Sequence, residues 1–229
     1  MGKRKARTTE TSESADLRII GGEFRGSKLR YHGDPGTRPM KHRVREAIFN
    51  LISTESEGRH AIDLFAGTGA LGLEALSRGA RSATFIEKHV PTARVIQENI
   101  GALGVEDRAT LLTTSAFLWS KRDLPISDFG LRNAELSETS DSAIPDPQSP
   151  IPWLVFCSPP YAFYIERTRD MLDLIGTVLD HAPEGSIMIV EADERFDFEL
   201  LPGEVAVERH DKGWNVRTYP PAVVGVWRK

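Results

Sequence analysis

From about residue 60 onward, short apolar segments alternate along the chain with longer segments of helical periodicity. Parallel strands need crossover connections, which are usually helices, so this alternation predicts a parallel sheet with helices on both faces. Residues 205–207 and 223–227 are predicted to form a final edge hairpin. We therefore expect an α/β fold with a mostly parallel seven-stranded sheet. The other predicted strands are 61–65, 83–86, 110–113, 153–157 and 186–190, and the predicted helices are 70–77, 91–103 and 168–179.

Segments outside this alternation predict further structural units. Residues 1–16 are rich in Lys and Arg and then in Ser, Thr and Glu, which is typical of a disordered tail. Residues 17–55 contain two short β-like runs around glycines and then a helical pattern, so we expect an extension made of a β-hairpin and a helix. The main domain is predicted over 56–229. A Pro-, Ser- and Asp-rich stretch at 121–152 is expected to be a mobile surface insertion within it.

Charge is distributed unevenly along the chain. The whole protein has 29 Lys and Arg against 33 Asp and Glu, a formal net charge of −4. Residues 1–50 have 12 basic and 6 acidic residues, a net charge of +6, so the remainder has a net charge of −10. A basic head on an acidic body favours a polyanionic partner at one end, and a solvated basic tail is the alternative interpretation.

The composition excludes several other classes of protein. The single cysteine, Cys157, rules out an intramolecular disulfide and fits a reducing compartment. The six histidines are scattered without ligand spacing, so we expect no metal site. No apolar run reaches the length of about 18 residues that suggests a membrane span. We therefore expect a cytoplasmic protein, and a monomer because no long amphipathic surplus is evident.

A glycine-rich turn follows the first predicted strand, in the segment Asp63-Leu-Phe-Ala-Gly67-Thr-Gly69-Ala-Leu-Gly72. Glycines there permit a tight turn and let a ligand approach the backbone, and the next helix begins directly after it. Glu87 ends the second predicted strand, where a carboxylate can bind the two ribose hydroxyls of an adenosine. The spacing also fits a dinucleotide-binding loop. Asp63 favours a cationic ligand such as S-adenosylmethionine instead, because a carboxylate beside a pyrophosphate is repulsive.

A second motif, Cys157-Ser-Pro-Pro-Tyr161, comes directly after the apolar fourth strand. The Pro-Pro pair ends the strand and keeps the backbone extended. Ser158 and the carbonyl of Pro159 can accept hydrogen bonds from an amine, while the ring of Tyr161 can stack on its base. This edge of a parallel sheet is where ligands bind in such folds, so the motif predicts a site for a planar amine.

Together these residues resemble a class I S-adenosylmethionine-dependent methyltransferase with the [Asp/Asn/Ser]-Pro-Pro-[Tyr/Phe/Trp] signature of amino-group methylation. More narrowly, the chain resembles the RsmD family of small-subunit ribosomal RNA guanine-N2 methyltransferases. The resemblance extends from about residue 17 to the end, except for the predicted insertion. Its matching segments are Arg18-Ile-Ile-Gly-Gly22, Arg38-Pro39, Arg43-Val-Arg-Glu-Ala-Ile-Phe-Asn50, Asp63-Leu-Phe-Ala-Gly-Thr-Gly-Ala-Leu-Gly-Leu-Glu-Ala-Leu-Ser-Arg-Gly-Ala80 and Ile86-Glu-Lys88.

The resemblance implies a Rossmann-like domain that uses S-adenosyl-L-methionine to methylate a guanine of small-subunit ribosomal RNA, on the subunit or an assembly intermediate. The implied catalytic residues are Ser158, Pro159, Pro160 and Tyr161. The implied cofactor-binding residues are Asp63, Phe65, Ala66, Gly67, Thr68, Gly69, Glu87, Lys88, Ser115 and Ala116. The basic head is the expected RNA clamp, with Arg18, Arg25, Lys28, Arg30, Arg38, Lys41, Arg43 and Arg45.

Two departures from the family pattern keep alternatives open. Ser158 stands where the family usually has Asp or Asn, and Ser115 lies where an acidic residue often binds adenine. A non-catalytic ribosome-assembly factor is therefore one alternative. A DNA adenine-N6 or protein glutamine-N5 methyltransferase is another, although those families lack this Arg-rich amino-terminal block. Glu191 and Asp193, after the fifth predicted strand, are expected to be structural or solvated rather than catalytic.

Overall fold

A computed structural model of the chain describes residues 17–31, 40, 42–124 and 150–229. The predicted tail over 1–16 and most of the predicted insertion lie outside the described residues. The same holds for Arg38 and Lys41 of the expected RNA clamp.

The core of the fold is one seven-stranded sheet with the order β3-β2-β1-β4-β5-β7-β6. The first five strands are parallel, and β7 is antiparallel to both β5 and β6. This arrangement confirms the predicted α/β fold and its mostly parallel sheet. The strands are β1 His60–Asp63, β2 Ser82–Ile86, β3 Ala109–Leu112, β4 Trp153–Cys157, β5 Ile187–Asp193, β6 Gly213–Tyr219 and β7 Ala222–Arg228.

Helices cover both faces of this sheet, as parallel crossovers require. The helices bury apolar side chains against each face of the sheet. One face is packed by side chains such as Ile48, Leu73 and Ile96, and the other by side chains such as Trp119 and Ile175. The α-helices are α1 His42–Ile52, α2 Ala70–Ser77, α3 Val90–Leu103, α4 Ala116–Arg122, α5 Ala162–Glu166 and α6 Thr168–His181. Two short 3₁₀ helices span Glu106–Arg108 and Phe198–Leu200. The sequence patterns did not predict α4 or α5.

The predicted strand at 205–207 is wrong. Val205 and Val207 are 75% and 92% exposed, and Val205 forms only an isolated bridge with Trp214. The strand that pairs with β7 is β6, and the two are joined directly by a tight turn at Pro220. The prediction rested on these two valines, and it failed because neither side chain is buried against the sheet. β6 escaped prediction because it is an edge strand whose middle side chains are mostly polar and exposed.

The amino-terminal segment is fastened to α2 and shares the core with it. In place of the predicted hairpin strands, a single antiparallel bridge joins Arg18 and Lys28. The backbone N–H groups of Ile20 and Gly21 donate to the Glu74 carboxylate at 2.7 and 2.8 Å. Apolar side chains of this segment belong to the same buried cluster as α1 and α2, so it is part of one packed unit with the sheet.

Candidate active site

A cavity of about 680 Å³ opens at the carboxyl ends of the parallel strands. That volume is typical of small-molecule sites. Each of the five parallel strands has residues at or just beyond its carboxyl end in the wall, and α1 and the start of β7 add further lining. The wall includes the predicted cofactor residues Phe65, Ala66, Gly67, Thr68, Glu87, Lys88, Ser115 and Ala116, and the whole predicted catalytic set Ser158, Pro159, Pro160 and Tyr161. One continuous space therefore joins the two predicted sites.

The turn after β1 has the shape that its glycines predict. Gly69 has a φ of +78° and precedes α2, and its N–H donates to the carbonyl of Ala66 at 2.7 Å. Gly72 lies against the ring of Phe85, where an added Cβ would be only 2.4 Å from a ring carbon. Both positions therefore require glycine, one for its backbone conformation and one for close packing of α2 on the sheet.

Glu87 is fixed beside this turn by two backbone groups. The N–H of Gly67 donates to Oε2 at 3.0 Å, and the N–H of His89 donates to Oε1 at 2.8 Å. Each carboxylate oxygen can accept more than one hydrogen bond, so both can still accept hydroxyl groups from a ligand. The carboxylate thus faces the cavity in a set orientation, at the edge of the glycine turn.

Asp63 lies behind the glycine turn rather than in the wall of the cavity. Its side chain is buried, and Oδ2 accepts from the N–H of Gly72 at 3.2 Å. Its pKa is raised to about 7, chiefly by desolvation; the hydrogen bond from Gly72 opposes this rise, and the nearby charge of Glu87 contributes to it. Within the described part of the chain, Oδ1 has no hydrogen-bond partner. Asp63 therefore connects β1 to the start of α2, and direct contact with a cofactor stays a prediction.

The Ser-Pro-Pro-Tyr segment follows β4 and is tied to the next strand by a carboxylate. Ser158 Oγ donates to Oε2 of Glu191, and the hydroxyl of Tyr161 donates to Oε1 of the same side chain. The parallel register places Cys157 opposite Val190, so the residues that follow each of them are neighbours. Both hydroxyls of the predicted amine site are therefore oriented by one carboxylate.

Of the two expectations for Glu191, the solvated one is wrong because the side chain is buried, and the structural one fits its hydrogen bonds. Glu191 is only 4% exposed, yet it lines the cavity and contacts two predicted catalytic residues. Burial raises its pKa, while the hydrogen bonds from Ser158 and Tyr161 lower it. The sequence does show a carboxylate near the end of the fifth predicted strand. That this carboxylate reaches the Ser158–Tyr161 motif follows only from the order and register of β4 and β5.

Three aromatic side chains form one wall of the cavity: the predicted cofactor residue Phe65, and Phe117 and Phe163, which the sequence patterns did not indicate. The ring of Phe65 lies 5.8 Å from that of Phe117 and 6.2 Å from that of Phe163, both edge-on. Lys88 places its ammonium 5.6 Å from the centre of the Phe163 ring. Ser115 and Ala116 begin α4 directly before Phe117, so this wall offers both polar backbone groups and flat apolar faces to a ligand.

The predicted RNA clamp is only partly on the surface. Arg45 is completely buried, and its guanidinium donates to the carbonyl of Arg18 and lies 3.9 Å from Glu74. The expectation that Arg45 contacts RNA is therefore wrong, because its place on α1 faces α2 rather than solvent. Arg18 is half-buried and donates to the Gly26 carbonyl. The exposed members among the described residues are Arg25, Lys28, Arg30 and Arg43.

The described regions contain no group of three or more His, Cys, Asp or Glu side chains placed to hold a metal ion. None of the helices in these regions is both long enough and apolar enough to cross a bilayer. Cys157 is buried, and desolvation raises the pKa of its thiol to about 12. Its position in β4 is that of a core residue.

Comparison with known proteins places the chain among methyltransferases. The family described as Conserved hypothetical protein 95 matches residues 17–125. Ribosomal RNA small subunit methyltransferase D of Escherichia coli (strain K12) is 46% identical over 209 residues, which cover 88% of this chain and 92% of that protein. The chain belongs to the RsmD family of methyltransferases.

Other members and solved structures resemble this RsmD-family chain over nearly its whole length. The Putative rRNA methyltransferase YlbH of Bacillus subtilis is 26% identical, over 93% of this chain and 99% of that protein. The solved structure of a Putative methyltransferase yhhF from Escherichia coli has a TM-score of 0.63 and 25% identity, with coverage of 92% and 96%. The similarity to these proteins therefore extends over nearly the whole chain and is not confined to the glycine turn.

Proposed function

We propose that this protein transfers a methyl group from S-adenosyl-L-methionine to the exocyclic N2 amine of a guanine in small-subunit ribosomal RNA. The observation that carries the proposal is the single cavity in which the glycine turn with Glu87 faces the Ser158–Tyr161 segment. Family membership supports ribosomal RNA over the DNA adenine-N6 and protein glutamine-N5 alternatives, because the named relative is a ribosomal RNA methyltransferase.

The cofactor end of the cavity fits an adenosine without phosphates. Glu87 offers two carboxylate oxygens to a ribose diol, and Phe117 and its neighbours offer a flat wall to adenine. The Glu87 carboxylate lies beside the glycine turn in the cavity wall, which disfavours a pyrophosphate and suits a cationic ligand. When bound, S-adenosyl-L-methionine supplies a methyl carbon activated by its attachment to a sulfonium.

The other end of the cavity fits a planar amine. The lone pair of an aryl amine is delocalised into the ring, so the site must turn the N–H groups and the lone pair into a reactive orientation. Ser158 Oγ and the Pro159 carbonyl can accept the two N–H groups, and the Tyr161 ring can stack on the base. These oxygens bind more strongly as positive charge develops on nitrogen, which stabilises the transition state.

The substrate is proposed to be a guanine that is unpaired or easily extruded, because a base inside a helix cannot enter such a cavity. The exposed cations Arg25, Lys28 and Arg43 are proposed to bind the RNA backbone. Met40 and Val44 line the cavity, so the start of α1 brings Arg43 close to its opening. We further propose that the protein acts as a cytoplasmic monomer on the small subunit or on an assembly intermediate.

The proposal is tested by incubating the protein with methyl-labelled cofactor and small-subunit particles isolated from cells that lack the enzyme. The expected product is N2-methylguanosine at one position of the RNA. Tyr161→Ala should lower kcat/KM by about 5- to 150-fold, since stacking on an aromatic side chain contributes about 1–3 kcal/mol per base. Tyr161→Phe is the matched control and should retain most of that stacking.

Two results would contradict the proposed function. One is methylation of a different base or of protein in place of guanine N2. The other is a Tyr161→Ala variant that methylates the particles at the wild-type rate, which would remove Tyr161 from the amine site.

A further inference from the structure

We propose that Glu191 supplies, from the neighbouring strand, a carboxylate like the one that Asp provides in some forms of the amine-methylation signature at the position of Ser158. In this view Glu191 is a positioning residue that also receives the amine proton through Ser158 Oγ. The inference rests on the proposed function, because it concerns the amine that enters the same cavity.

The geometry around Glu191 makes both roles possible. β4 and β5 are parallel neighbours, and their register sets Ser158 beside Glu191. One carboxylate oxygen accepts from Ser158 and the other accepts from Tyr161. Among the described residues no cation pairs with Glu191, so its charge is stabilised by these two hydroxyls at the wall of the cavity. Ser158 therefore has a carboxylate behind it, on the side away from an incoming amine.

The direction of these hydrogen bonds selects the kind of group that can bind. A hydroxyl has one proton, and Ser158 and Tyr161 both donate theirs to Glu191. Ser158 Oγ can then only accept a hydrogen bond from a further partner. The Pro159 carbonyl is likewise an acceptor only. Glu191 thus makes the site selective for a group with two N–H donors, such as the N2 amine of guanine, over a carbonyl or a ring nitrogen without hydrogen.

The proton balance of methyl transfer can be completed through this pair. The amine lone pair forms the new bond to the methyl carbon as the carbon–sulfur bond breaks, and its electrons remain on sulfur. The nitrogen is then cationic and releases a proton to Ser158 Oγ, while the hydroxyl proton of Ser158 passes to Oε2 of Glu191. The positive sulfonium and the negative carboxylate become a neutral thioether and a neutral carboxylic acid.

The surroundings of Glu191 favour it as the proton acceptor. Desolvation raises the pKa of Glu191, so the buried carboxyl group holds a proton more readily than an exposed one. The neighbouring Tyr164 and Cys157 are buried with pKa values raised by desolvation, so they stay protonated at neutral pH. Asp63 also has a raised pKa, but it lies behind the glycine turn and outside the wall of the cavity.

The test compares Glu191→Gln with wild type in single-turnover methyl transfer on small-subunit particles. Gln keeps the size of the side chain and one acceptor oxygen, but it cannot take up a proton. The rate should fall by about 100-fold or more, the range in which general base groups contribute. The affinity for S-adenosyl-L-homocysteine and the KM for particles should stay within about threefold of wild type, as for a residue that acts in the chemical step.

A rescue variant and a matched control separate this role from a structural one. Adding Ser158→Asp to Glu191→Gln returns a carboxylate to the cavity, at a position where the amine-methylation signature also allows Asp. The double variant should be about tenfold faster than Glu191→Gln alone, a partial return of the general-base contribution. Asp193→Asn is the control, because it removes the same charge from the same strand at a side chain that lies outside the cavity wall and pairs with the exposed Arg195 at 2.6 Å. Its rate should equal that of wild type.

Three outcomes overturn the inference: a Glu191→Gln rate close to that of wild type, a loss of S-adenosyl-L-homocysteine binding as large as the loss of rate, or a double variant no faster than Glu191→Gln. The proposed function is judged separately, by the nucleoside that wild type methylates. If that nucleoside is not N2-methylguanosine, the proposed function fails, and the rates of the Glu191 variants are still measured on the amine that is methylated.

Discussion

Replacing Glu74 by Gln should weaken the attachment of the amino-terminal segment more than any surface change. Glu74 is fully buried on α2, and its carboxylate accepts hydrogen bonds from three donors among the described residues. Oε1 accepts from Gly21 N and from Arg78 Nε, both at 2.8 Å, and Oε2 accepts from Ile20 N at 2.7 Å. The amide nitrogen of Gln would face one of these donors, and the buried Arg45 would lose its only nearby negative charge within the described residues.

The size of the effect follows from the burial of this cluster. Removing one partner of a buried ion pair costs about 3–5 kcal/mol, because the other charge stays buried without compensation. Gln preserves the side-chain volume and one acceptor oxygen. We therefore expect the free energy of unfolding to decrease by about 3 kcal/mol, the lower end of that range. For a chain of this length, each kcal/mol lowers Tm by about 2–4 °C, which gives a decrease of about 6–12 °C.

The assay is thermal and urea denaturation of the full chain, with unfolding followed by circular dichroism. Glu184→Gln is the control, because Glu184 forms an ion pair with Lys212 in which both side chains are more than 70% exposed. Such pairs contribute about 0–1 kcal/mol, so this variant should melt close to wild type. If Glu74→Gln and Glu184→Gln melt at the same temperature, the reasoning about the buried cluster is wrong.

Two further predictions concern pH and salt. The pKa of Asp63 is about 7 in the folded protein and 3.8 ordinarily, so between these pH values the folded chain holds a proton that the unfolded chain has released. Stability should therefore fall as pH rises from about 4 to 7, by an amount on the order of 4 kcal/mol, and then level off. Asp63→Asn should remove this decline. If the denaturant midpoints of the variant and of wild type change equally between pH 4 and 7, the prediction is contradicted. Replacing Arg25, Lys28 and Arg43 together by Gln should reduce the salt dependence of RNA binding, with a log–log slope smaller by about 2 if each cation contacts a phosphate of single-stranded RNA. A filter-binding titration at several salt concentrations measures that slope, and an unchanged value would remove these residues from the RNA interface.

The parts of the fold that sequence could predict are those whose signal is local. The five parallel strands are apolar runs bounded by turns, and α2, α3 and α6 have clear helical periodicity. β6 has no such signal because an edge strand buries few of its side chains. The short helices α4 and α5 likewise have too few turns for their periodicity to stand out. Their existence depends on packing beside the cavity rather than on their own pattern.

The same distinction applies to the candidate site. Ser158 and Tyr161 belong to one continuous motif, and Glu87 follows a recognisable strand, so sequence alone selects them. Glu191 lies 33 positions after Ser158, and only the pairing of β4 with β5 brings them together. Arg45 was wrongly assigned to the RNA clamp, because a charge count cannot distinguish a solvated arginine from one that is buried against a carboxylate.

The position of β7 has a consequence for the time at which the protein becomes active. This strand follows the other six in sequence but lies between β5 and β6, and its first residue, Ala222, lines the cavity with Pro221. During translation the parallel strands and both motifs emerge first, without the wall that these two residues form. A nascent chain therefore has every recognisable motif before it has a closed pocket. Methyl transfer for this reason has to wait for the synthesis of β7, and deleting that strand would open the pocket while leaving both motifs in place.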